Sequence, residues 1–344
     1  MTTAIESASD LTLTPSQSAE RELVERLTGG RAQIETELAK VIVGQKEVIE
    51  QILVALFAGG HCLITGAPGL AKTLLVKSIA RIFHLKFQRI QFTPDLMPAD
   101  ITGTEILQDS PEGRRMVFVR GPVFANIILA DEINRTPPKT QSALLEAMQE
   151  HQVTAAGVRH ALTEPFFVLA TQNPIEMEGT YPLPEAQLDR FMFNVVMDYL
   201  PEDEEVAVVA RTTVEAAPAI DALFTGDDVL RFHSLVRKVP VAEGLIRYAV
   251  KLAGATRPHQ PGAADFINEW ASWGAGTRAG QFLVLGAKAR ALLRGRAHVT
   301  VQDIQDLAYP TLRHRVLLNY RAEAEGITVE QITKRLLAAI PAPI

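Results

Sequence analysis

The sequence predicts an α/β protein with a parallel five-stranded sheet between helices, followed by an all-helical domain. Five short apolar runs end in polar or turn residues, and helical patterns separate most of them: HCLIT, FQRIQF, NIILADE, FFVLATQNP and FMFNVVMDYL. Strands that are apolar throughout and alternate with helices are typical of a parallel sheet covered on both faces. From about Ala219 to the C-terminus the patterns are helical only, which predicts the second domain.

The order of these patterns divides the chain into four parts. The N-terminal residues are rich in Ser and Thr and predict a disordered tail. A helical pattern follows up to Phe57, and we expect a break in it at Gly29-Gly30 because glycine weakens a helix. The expected bounds are 1–20 for the tail, 21–200 for the α/β core, 201–220 for a linker and 221–344 for the helical domain.

Two segments between the strand–helix units have the pattern of β-hairpins. EILQDSPEGRRMVFVRG carries the turn cluster DSPEG between two strand-like arms, and HQVTAAGVRHALT has a similar turn at AAG. Arg114, Arg115 and Arg120 make the first hairpin basic, so it is the one place where this sequence offers a surface to a polyanion.

Composition excludes several classes of protein. With 344 residues and a net charge of −6, the chain is long enough for two domains and has no overall basic field for nucleic acid. Its one cysteine, Cys62, excludes a disulfide within the chain and fits a reducing compartment. The uncharged stretch from Ile52 to Ala71 is as long as a membrane span, but glycines and Pro68 interrupt it. The N-terminus also lacks the pattern of a secretory signal, so we expect a soluble, cytoplasmic protein without membrane insertion.

The stretch GAPGLAKT, from Gly66 to Thr73, follows an apolar strand and precedes a helical pattern, which is the context of a phosphate-binding loop. Lys72 can reach the β- and γ-phosphates of a nucleotide, and the Thr73 hydroxyl can hold Mg²⁺. Ala71 stands where the usual pattern has glycine. If Ala71 lies in the first helical turn, its φ is negative and its methyl group costs little. The alternative is an ordinary strand–turn–helix.

The stretch NIILADEINR ends an apolar strand in two adjacent acids, Asp131 and Glu132. Ligands of α/β proteins bind at the carboxyl ends of strands. Asp131 can therefore hold Mg²⁺ through its water shell, and Glu132 can orient the attacking water. The alternative, two acids in a surface turn, loses weight beside the phosphate-binding loop.

The stretches ILADEINRTPPKTQSALLEAMQE and ATQNPIEMEGTYPLPEAQLDRFMF resemble the signature segments of the MoxR family of AAA+ ATPases, a branch related to magnesium chelatases. That family also tends to carry alanine before the lysine of its phosphate loop. The resemblance extends from about Val41 to the C-terminus. It implies a P-loop NTPase core of AAA+ type, an all-α lid, and ATP with Mg²⁺ at their junction. The nucleotide contacts that it implies are Val43, Gly44, Gly66, Ala67, Pro68, Gly69, Leu70, Ala71, Lys72, Thr73 and Leu74.

The resemblance also assigns three residues around the γ-phosphate. Asn173 matches the sensor-1 residue that holds the attacking water, although an asparagine before Pro174 also suits a turn. Arg190 resembles the arginine finger that reaches the ATP of a neighbouring subunit; the alternative is a salt bridge, for instance to Asp189 or Glu185. Arg278 in WGAGTRAGQ resembles the sensor-2 arginine and is expected to reach the ATP of its own subunit.

Other features carry weaker signals. The eight histidines show no metal-ligand spacing. Arg313-His314-Arg315 in TLRHRVLLNY could contact phosphate or a partner, but a solvated helix end is the simpler interpretation. In the Arg278 segment, the family more often has Ser-Pro where this chain has Gly276-Thr277, which leaves the local geometry open.

Three functions are compatible with this sequence. The resemblance favours an oligomeric, hexameric ring that couples ATP hydrolysis to the remodelling, maturation or activation of a client protein. Its implied partners are a von Willebrand factor A domain protein and that client. The alternatives are a nucleic-acid-stimulated AAA+ motor or loader, which the acidic charge disfavours, and a slowly hydrolysing nucleotide-switched scaffold.

Overall fold

The fold is known from a computed structural model, which describes residues 15–110, 113–155, 157–173, 179–213 and 218–343. The elements of the N-terminal half are α1 Pro15–Ala39, α2 Lys46–Ala58, β1 Cys62–Gly66, α3 Lys72–Ile82, β2 Phe87–Gln91, α4 Pro98–Thr102, β3 Gly103–Ser110, β4 Gly113–Arg120, β5 Ile127–Asp131, a 3-10 turn Ile133–Arg135, α5 Pro138–Glu150, β6 Gln152–Ala155, β7 Val158–Ala161 and β8 Phe167–Gln172. They are followed by α6 Glu185–Leu188, β9 Phe193–Met197, α7 Glu202–Thr212, α8 Gly226–Lys238, α9 Glu243–Gly254, α10 Asp265–Trp270, β10 Ala271–Trp273, α11 Thr277–Leu293, α12 Val301–Leu312, β11 Leu317–Leu318, α13 Tyr320–Ala324 and α14 Val329–Ala339.

The central sheet has five parallel strands in the order β2-β5-β8-β1-β9. All five apolar runs of the sequence form these strands, so the predicted α/β fold with a parallel sheet is confirmed. Alternate strand residues enter two separate cores: Cys62 and Ile64 join the core that includes α1 to α3 and the C-terminal helices, while Leu63 joins the core of α4 and α5. Burial on both faces explains why these strands are apolar throughout.

Both predicted hairpins are present. Strands β3 and β4 pair antiparallel from Gly103↔Arg120 to Ser110↔Gly113, and β6 pairs with β7 in the same way. The tip residues 111–112 and 156 lie outside the described residues. The strands of the first hairpin extend further than the sequence indicated, because Asp109, Ser110 and Gly113 of the predicted turn cluster belong to them.

The N-terminal helix corrects two predictions. It begins at Pro15, within the predicted tail, where proline suits a first helical position; residues 1–14 lie outside the described residues. It also continues through Gly29-Gly30 without the expected break. A Cβ at Gly30 would lie 2.2 Å from the ring of Phe224, so glycine there allows a close approach to that ring.

The C-terminal region is helical, as predicted, but it includes a small antiparallel pair, β10 with β11, that the sequence analysis missed. Helix α11 packs against α2, α9 and α12, and so joins this region to the core. Gly286 of α11 also allows a close approach to β9 of the core, because a Cβ there would lie 3.0 Å from the ring of Phe193. The segment 201–220 contains α7, and the division of the chain at this segment stays a prediction. No helix in the described part of the chain is long and apolar enough to cross a membrane.

Candidate functional site

The phosphate-loop sequence lies between β1 and α3, as predicted. Gly66 ends β1 beside β9, where a Cβ would lie 2.5 Å from the carbonyl oxygen of Met197, and Gly69 has φ +85°. Lys72 opens α3, and its ammonium donates a hydrogen bond of 2.6 Å to the Gly66 carbonyl across the loop. Lys72, which is expected to bind phosphate, therefore binds the backbone of its own loop in this structure.

Ala71 corrects the expected loop geometry. It is the N-cap of α3 and not a residue of its first turn, and its backbone is left-handed, with φ 58° and ψ 25°. A residue with a Cβ in this conformation costs roughly 1–2 kcal/mol relative to the right-handed one. A negative φ was expected only if Ala71 lay in the first helical turn; that condition is not met, and the alanine here is strained.

The two acids lie at the carboxyl end of β5, and neighbouring strands hold the first of them. Arg89 of β2 donates to Oδ2 of Asp131 through Nε at 2.9 Å and Nη2 at 2.6 Å. From β8, Thr171 donates to Oδ1 of Asp131 at 2.7 Å and accepts from the backbone N–H of Glu132 at 2.8 Å. Each carboxylate oxygen has two lone pairs, so Asp131 retains acceptor capacity for a cation.

Glu132 is also held in a specific orientation. Its φ of 56° is left-handed, which turns the chain sharply after the strand. Its Oε2 accepts from Nε2 of Gln91 at 3.0 Å and pairs with Nε of Arg135 at 3.2 Å. Backbone strain in a non-glycine residue persists only where its surroundings enforce it, and such residues cluster at functional sites.

These elements enclose a cavity of about 480 Å³. Its lining is Pro68, Gly69, Leu70, Ala71, Lys72, Thr73, Leu74, Arg89, Asp131, Glu132, Thr171 and Asn173. The structure thus brings together most of the predicted loop, both acids and Asn173. Sequence analysis missed Arg89, Gln91 and Thr171; their only signal was a polar residue inside an apolar strand.

The charges around the cavity suit a phosphate chain and a small divalent cation. Burial lowers the pKa of Lys72, and the nearby carboxylates of Asp131 and Glu132 act in the opposite direction. The start of α3 adds free backbone N–H groups and the positive end of a helix dipole. The Thr73 hydroxyl and the Asp131 carboxylate are oxygen ligands, as Mg²⁺ requires. Within the described residues there is no group of three or more His, Cys, Asp or Glu that could hold a metal ion.

Val43 and Gly44, expected beside the adenine, do not line this cavity. Gly44 has φ +65° and lies under the side chains of Glu204 and Leu200. The next residue, Gln45, borders a separate cavity of about 320 Å³ between α2 and α7. Gly66 and Ala67 begin the loop but do not belong to the lining of the phosphate cavity. Contact of Val43 and Gly44 with adenine stays a prediction.

Arg190 lies away from the phosphate cavity, between α6 and β9. Its Nη1 donates to the carbonyl of Leu145 in α5 at 2.7 Å. The salt bridge weighed as an alternative is made by other residues: Asp189 pairs with Arg315 and Arg278.

Arg278 corrects a second prediction. It lies in the first turn of α11, as expected, but its Nη1 is 3.3 Å from Oδ2 of Asp189. Asp189 precedes β9 at the amino end of the sheet, where Phe193 pairs with Cys62, whereas the phosphate loop follows the carboxyl end of β1. A strand of this length spans about 16 Å. Arg278 therefore does not reach the phosphate cavity of its own chain in this structure, and its partner Asp189 is the residue next to Arg190 in the chain.

Arg313, His314 and Arg315 are neither a solvated helix end nor an exposed phosphate contact. Only 4% of Arg315 and 7% of His314 are exposed. Their polar atoms bond to the backbone next to Arg190: Nη2 of Arg315 and Nε2 of His314 both donate to the carbonyl of Phe191.

Comparison with known proteins agrees with this geometry. Residues 61–193 match the ATPase family associated with various cellular activities (AAA), and residues 264–336 match the AAA lid domain. The chain is 44% identical to the chaperone MoxR1 of Mycobacterium tuberculosis, covering 89% of this chain and 81% of that protein. It is 31% identical to the protein MoxR of Paracoccus denitrificans, covering 90% and 95%. A crystal structure of a Cytophaga hutchinsonii protein superposes with a TM-score of 0.89 at 42% identity, covering 96% of this chain and 100% of that one.

Proposed function

Because this chain belongs to the MoxR family of AAA+ ATPases, we propose that it hydrolyses Mg-ATP at sites shared between subunits and uses the energy to remodel a client protein. One observation carries this proposal. The phosphate cavity gathers the loop, both acids and Asn173, while Arg190 and Arg278 lie at the opposite end of the sheet. One chain therefore carries the nucleotide-binding half and the arginine half of a hydrolytic site at opposite ends of its sheet, so a second copy is needed to complete the site.

Binding of the phosphates begins with Lys72. Its bond to the Gly66 carbonyl is replaced by phosphate oxygens, which accept from the ammonium and from the loop N–H groups. The ammonium has lost part of its hydration in the cavity, so its attraction to an anion is stronger than at the surface. Thr73 and Asp131 would hold Mg²⁺, which supplies charge neutralisation on the phosphate oxygens when bound.

Glu132 and Asn173 prepare the attacking water. The carboxylate of Glu132 lines the cavity and is oriented by Gln91 and Arg135. It can accept a hydrogen bond from the attacking water and so direct the lone pair of that water at phosphorus. Asn173 follows β8 and lines the same cavity, where its amide can hold that water from the other side. General-base assistance of this kind contributes about 10²–10⁴ in rate.

Arg190 and Arg278 act on the ATP of a neighbouring subunit. Cations placed against the transferring phosphoryl group stabilise the charge that develops there, an effect of about 10³–10⁵ in related classes. The position of Arg278 beside Asp189 supports a neighbour-directed role and replaces the expected contact with its own ATP. Assembly into a ring, with six subunits as the family resemblance implies, would bring each such face against a phosphate cavity.

A protein client is the substrate that the exposed hairpin favours. Ile106, Leu107, Met116 and Val119 of β3 and β4 are 45–58% exposed, an apolar surface that suits protein more than nucleic acid. Its basic residues are partly engaged: Arg114 pairs with Asp109, and Arg120 lies over the ring of Phe124. The MoxR1 relative is named a chaperone, and we extend that role to this chain, in the cytoplasm, with a von Willebrand factor A domain protein as its partner.

The test is ATP hydrolysis per subunit as a function of protein concentration, with Mg²⁺ and no partner. We expect specific activity to rise as subunits assemble and to fall by at least about 10³ in Arg190→Ala. Glu132→Gln should abolish turnover while retaining bound ATP. A flat, appreciable activity that survives Arg190→Ala would show that hydrolysis occurs within one subunit. Activity stimulated by DNA instead of by a protein would favour the nucleic-acid motor.

A further inference from the structure

The segment that carries Arg190 is held by three consecutive residues of the lid. We call residues 189–194 the finger segment. It extends from the end of α6 into the first two residues of β9, and its carbonyl groups accept hydrogen bonds from Arg313, His314 and Arg315, which follow α12. Arg313 donates to the Asn194 carbonyl, and His314 donates through Nε2 to that of Phe191 at 3.0 Å. The finger segment therefore rests on the lid of its own chain.

Arg315 makes most of these bonds. Its Nη2 donates to the carbonyls of Asp189 and Phe191 at 2.9 and 2.6 Å, and its Nη1 donates to that of Met192 at 3.3 Å. Its Nε donates to Oδ1 of Asp189 at 2.7 Å. The planar guanidinium thus holds three residues of the segment, Asp189, Phe191 and Met192, in one fixed arrangement, which a lysine ammonium cannot reproduce.

Asp189 connects this anchor to the second arginine. Its Oδ1 binds Arg315 and its Oδ2 binds Arg278 at 3.3 Å. Arg190 is the next residue in the chain. The buried guanidinium of Arg315 therefore positions both arginines that the proposed function directs at a neighbour's ATP. It acts on Arg278 through the Asp189 carboxylate and on Arg190 through the adjoining backbone.

We propose that Arg315 is a positioning residue for catalysis in the adjacent subunit: it sets the location of Arg190 and Arg278 relative to the neighbour's γ-phosphate. This inference rests on the proposed shared site. Its physical basis is that a displacement of about 1 Å at a reacting centre costs on the order of 10² in rate. Because Arg315 belongs to the lid, a movement of the lid also moves the finger segment.

A mixed assembly tests the proposal. Subunits with Lys72→Ala cannot use their own ATP but supply an intact finger; subunits with Arg190→Ala have an intact cavity but no finger. Their mixture should recover hydrolysis that neither shows alone. Arg315→Lys in the finger-supplying subunit should lower the recovered kcat by about 10- to 100-fold with KM for ATP changed less than about twofold. The same substitution in the other subunit should leave recovery within about twofold.

Matched variants separate positioning from folding. Arg290→Lys alters another buried lid arginine, paired with Glu50 and Asp303 away from the finger segment, and should not distinguish the two placements. Asp189→Glu retains the charge but shifts it by one methylene, and should reproduce the loss when placed in the finger-supplying subunit, so the test survives if Arg315→Lys does not fold. Equal losses in both placements would overturn the inference. No recovery with the unmodified pair would instead contradict the shared site itself.

Discussion

Arg89 and Asp131 form an ion pair across two neighbouring strands, with both Nε and Nη2 of the arginine on the same carboxylate oxygen, at 2.9 and 2.6 Å. Asp131 is the proposed ligand of Mg²⁺, so in this structure a protein cation lies where a metal cation is expected. Arg89 is 48% exposed at the side chain, while Asp131 is 16% exposed. The arginine can therefore move away when a divalent cation arrives, and its charge then faces the phosphates.

Replacement of Arg89 tests this competition. In Arg89→Gln, we expect half-maximal ATPase activity at a free Mg²⁺ concentration about 1.4- to fivefold lower, the factor that corresponds to an exposed ion pair of about 0.2–1 kcal/mol. KM for ATP should rise by a similar factor because the cavity loses a cation. The measurement is ATPase activity against free Mg²⁺ at saturating ATP. Arg135→Gln, whose partner is Glu132, is the control and should not move that midpoint. An unchanged midpoint in Arg89→Gln contradicts the competition.

Ala71 should limit stability through its left-handed backbone. Ala71→Gly removes the Cβ clash at φ 58° and should raise the free energy of unfolding by up to about 1 kcal/mol, after the loss from a more flexible unfolded chain. Gly69→Ala is the matched opposite, since it introduces a Cβ at φ +85° in the same loop and should lower stability by at least as much. Both are read from urea unfolding without nucleotide. A drop in stability for Ala71→Gly would rule out strain at this position.

Thr171 should hold the two acids in register. Its hydroxyl donates to Asp131 and accepts from the N–H of Glu132, and only 1% of the residue is exposed. Thr171→Val keeps the shape but leaves the N–H of Glu132, in a partly buried hydrogen bond, without its acceptor, which should cost about 1 kcal/mol of unfolding free energy. ATPase activity should fall with it, because Glu132 loses its orientation. Thr171→Ser restores the hydroxyl and should recover most of the activity; failure of that rescue would show that the methyl group, and not the hydrogen bond, is what matters.

The elements predicted well from sequence are those with a local signal. Each strand of the sheet is an apolar run bounded by turn residues, and each hairpin has a turn cluster within a dozen residues, so the five strands and both hairpins could be found without knowing their neighbours. The phosphate loop and the acids after β5 are equally local. Their meeting in one cavity followed from the rule that parallel strands end at the same edge.

The errors depend on contacts distant in the chain. Ala71 differed because a helix start shifted by one residue reverses the sign of φ. Arg278 was assigned to the wrong end of the sheet because its position depends on Asp189, 89 residues away, which the sequence does not pair with it. Arg315 and Thr171 carried only a weak signal: a polar side chain beside apolar residues indicates a partner but not which one.

His61 is buried immediately before β1, where it should make the stability of the fold depend on pH. Its Nδ1 accepts from the backbone N–H of Val168 at 3.1 Å, so its proton lies on Nε2 and is donated to the carbonyl of Met148 at 3.2 Å. Protonation would set a second N–H against the Val168 donor. Burial, the main cause, lowers the pKa of His61 to about 4, and the nearby His151 acts in the same direction.

Between pH 4 and about 6.5 the unfolded chain binds a proton at His61 that the folded protein does not, so the free energy of unfolding falls as pH decreases through this range. The loss attributable to this residue reaches about 3 kcal/mol at pH 4. His61→Gln offers a neutral donor and acceptor in the same place and should reduce the slope by up to about 1.4 kcal/mol per pH unit. Some slope should remain, because burial also lowers the pKa of His233 and His314.

The measurement is urea unfolding of both proteins from pH 4 to 8. Above pH 7 the two curves should run parallel, and curves that stay parallel down to pH 4 would show that His61 does not carry the acid sensitivity.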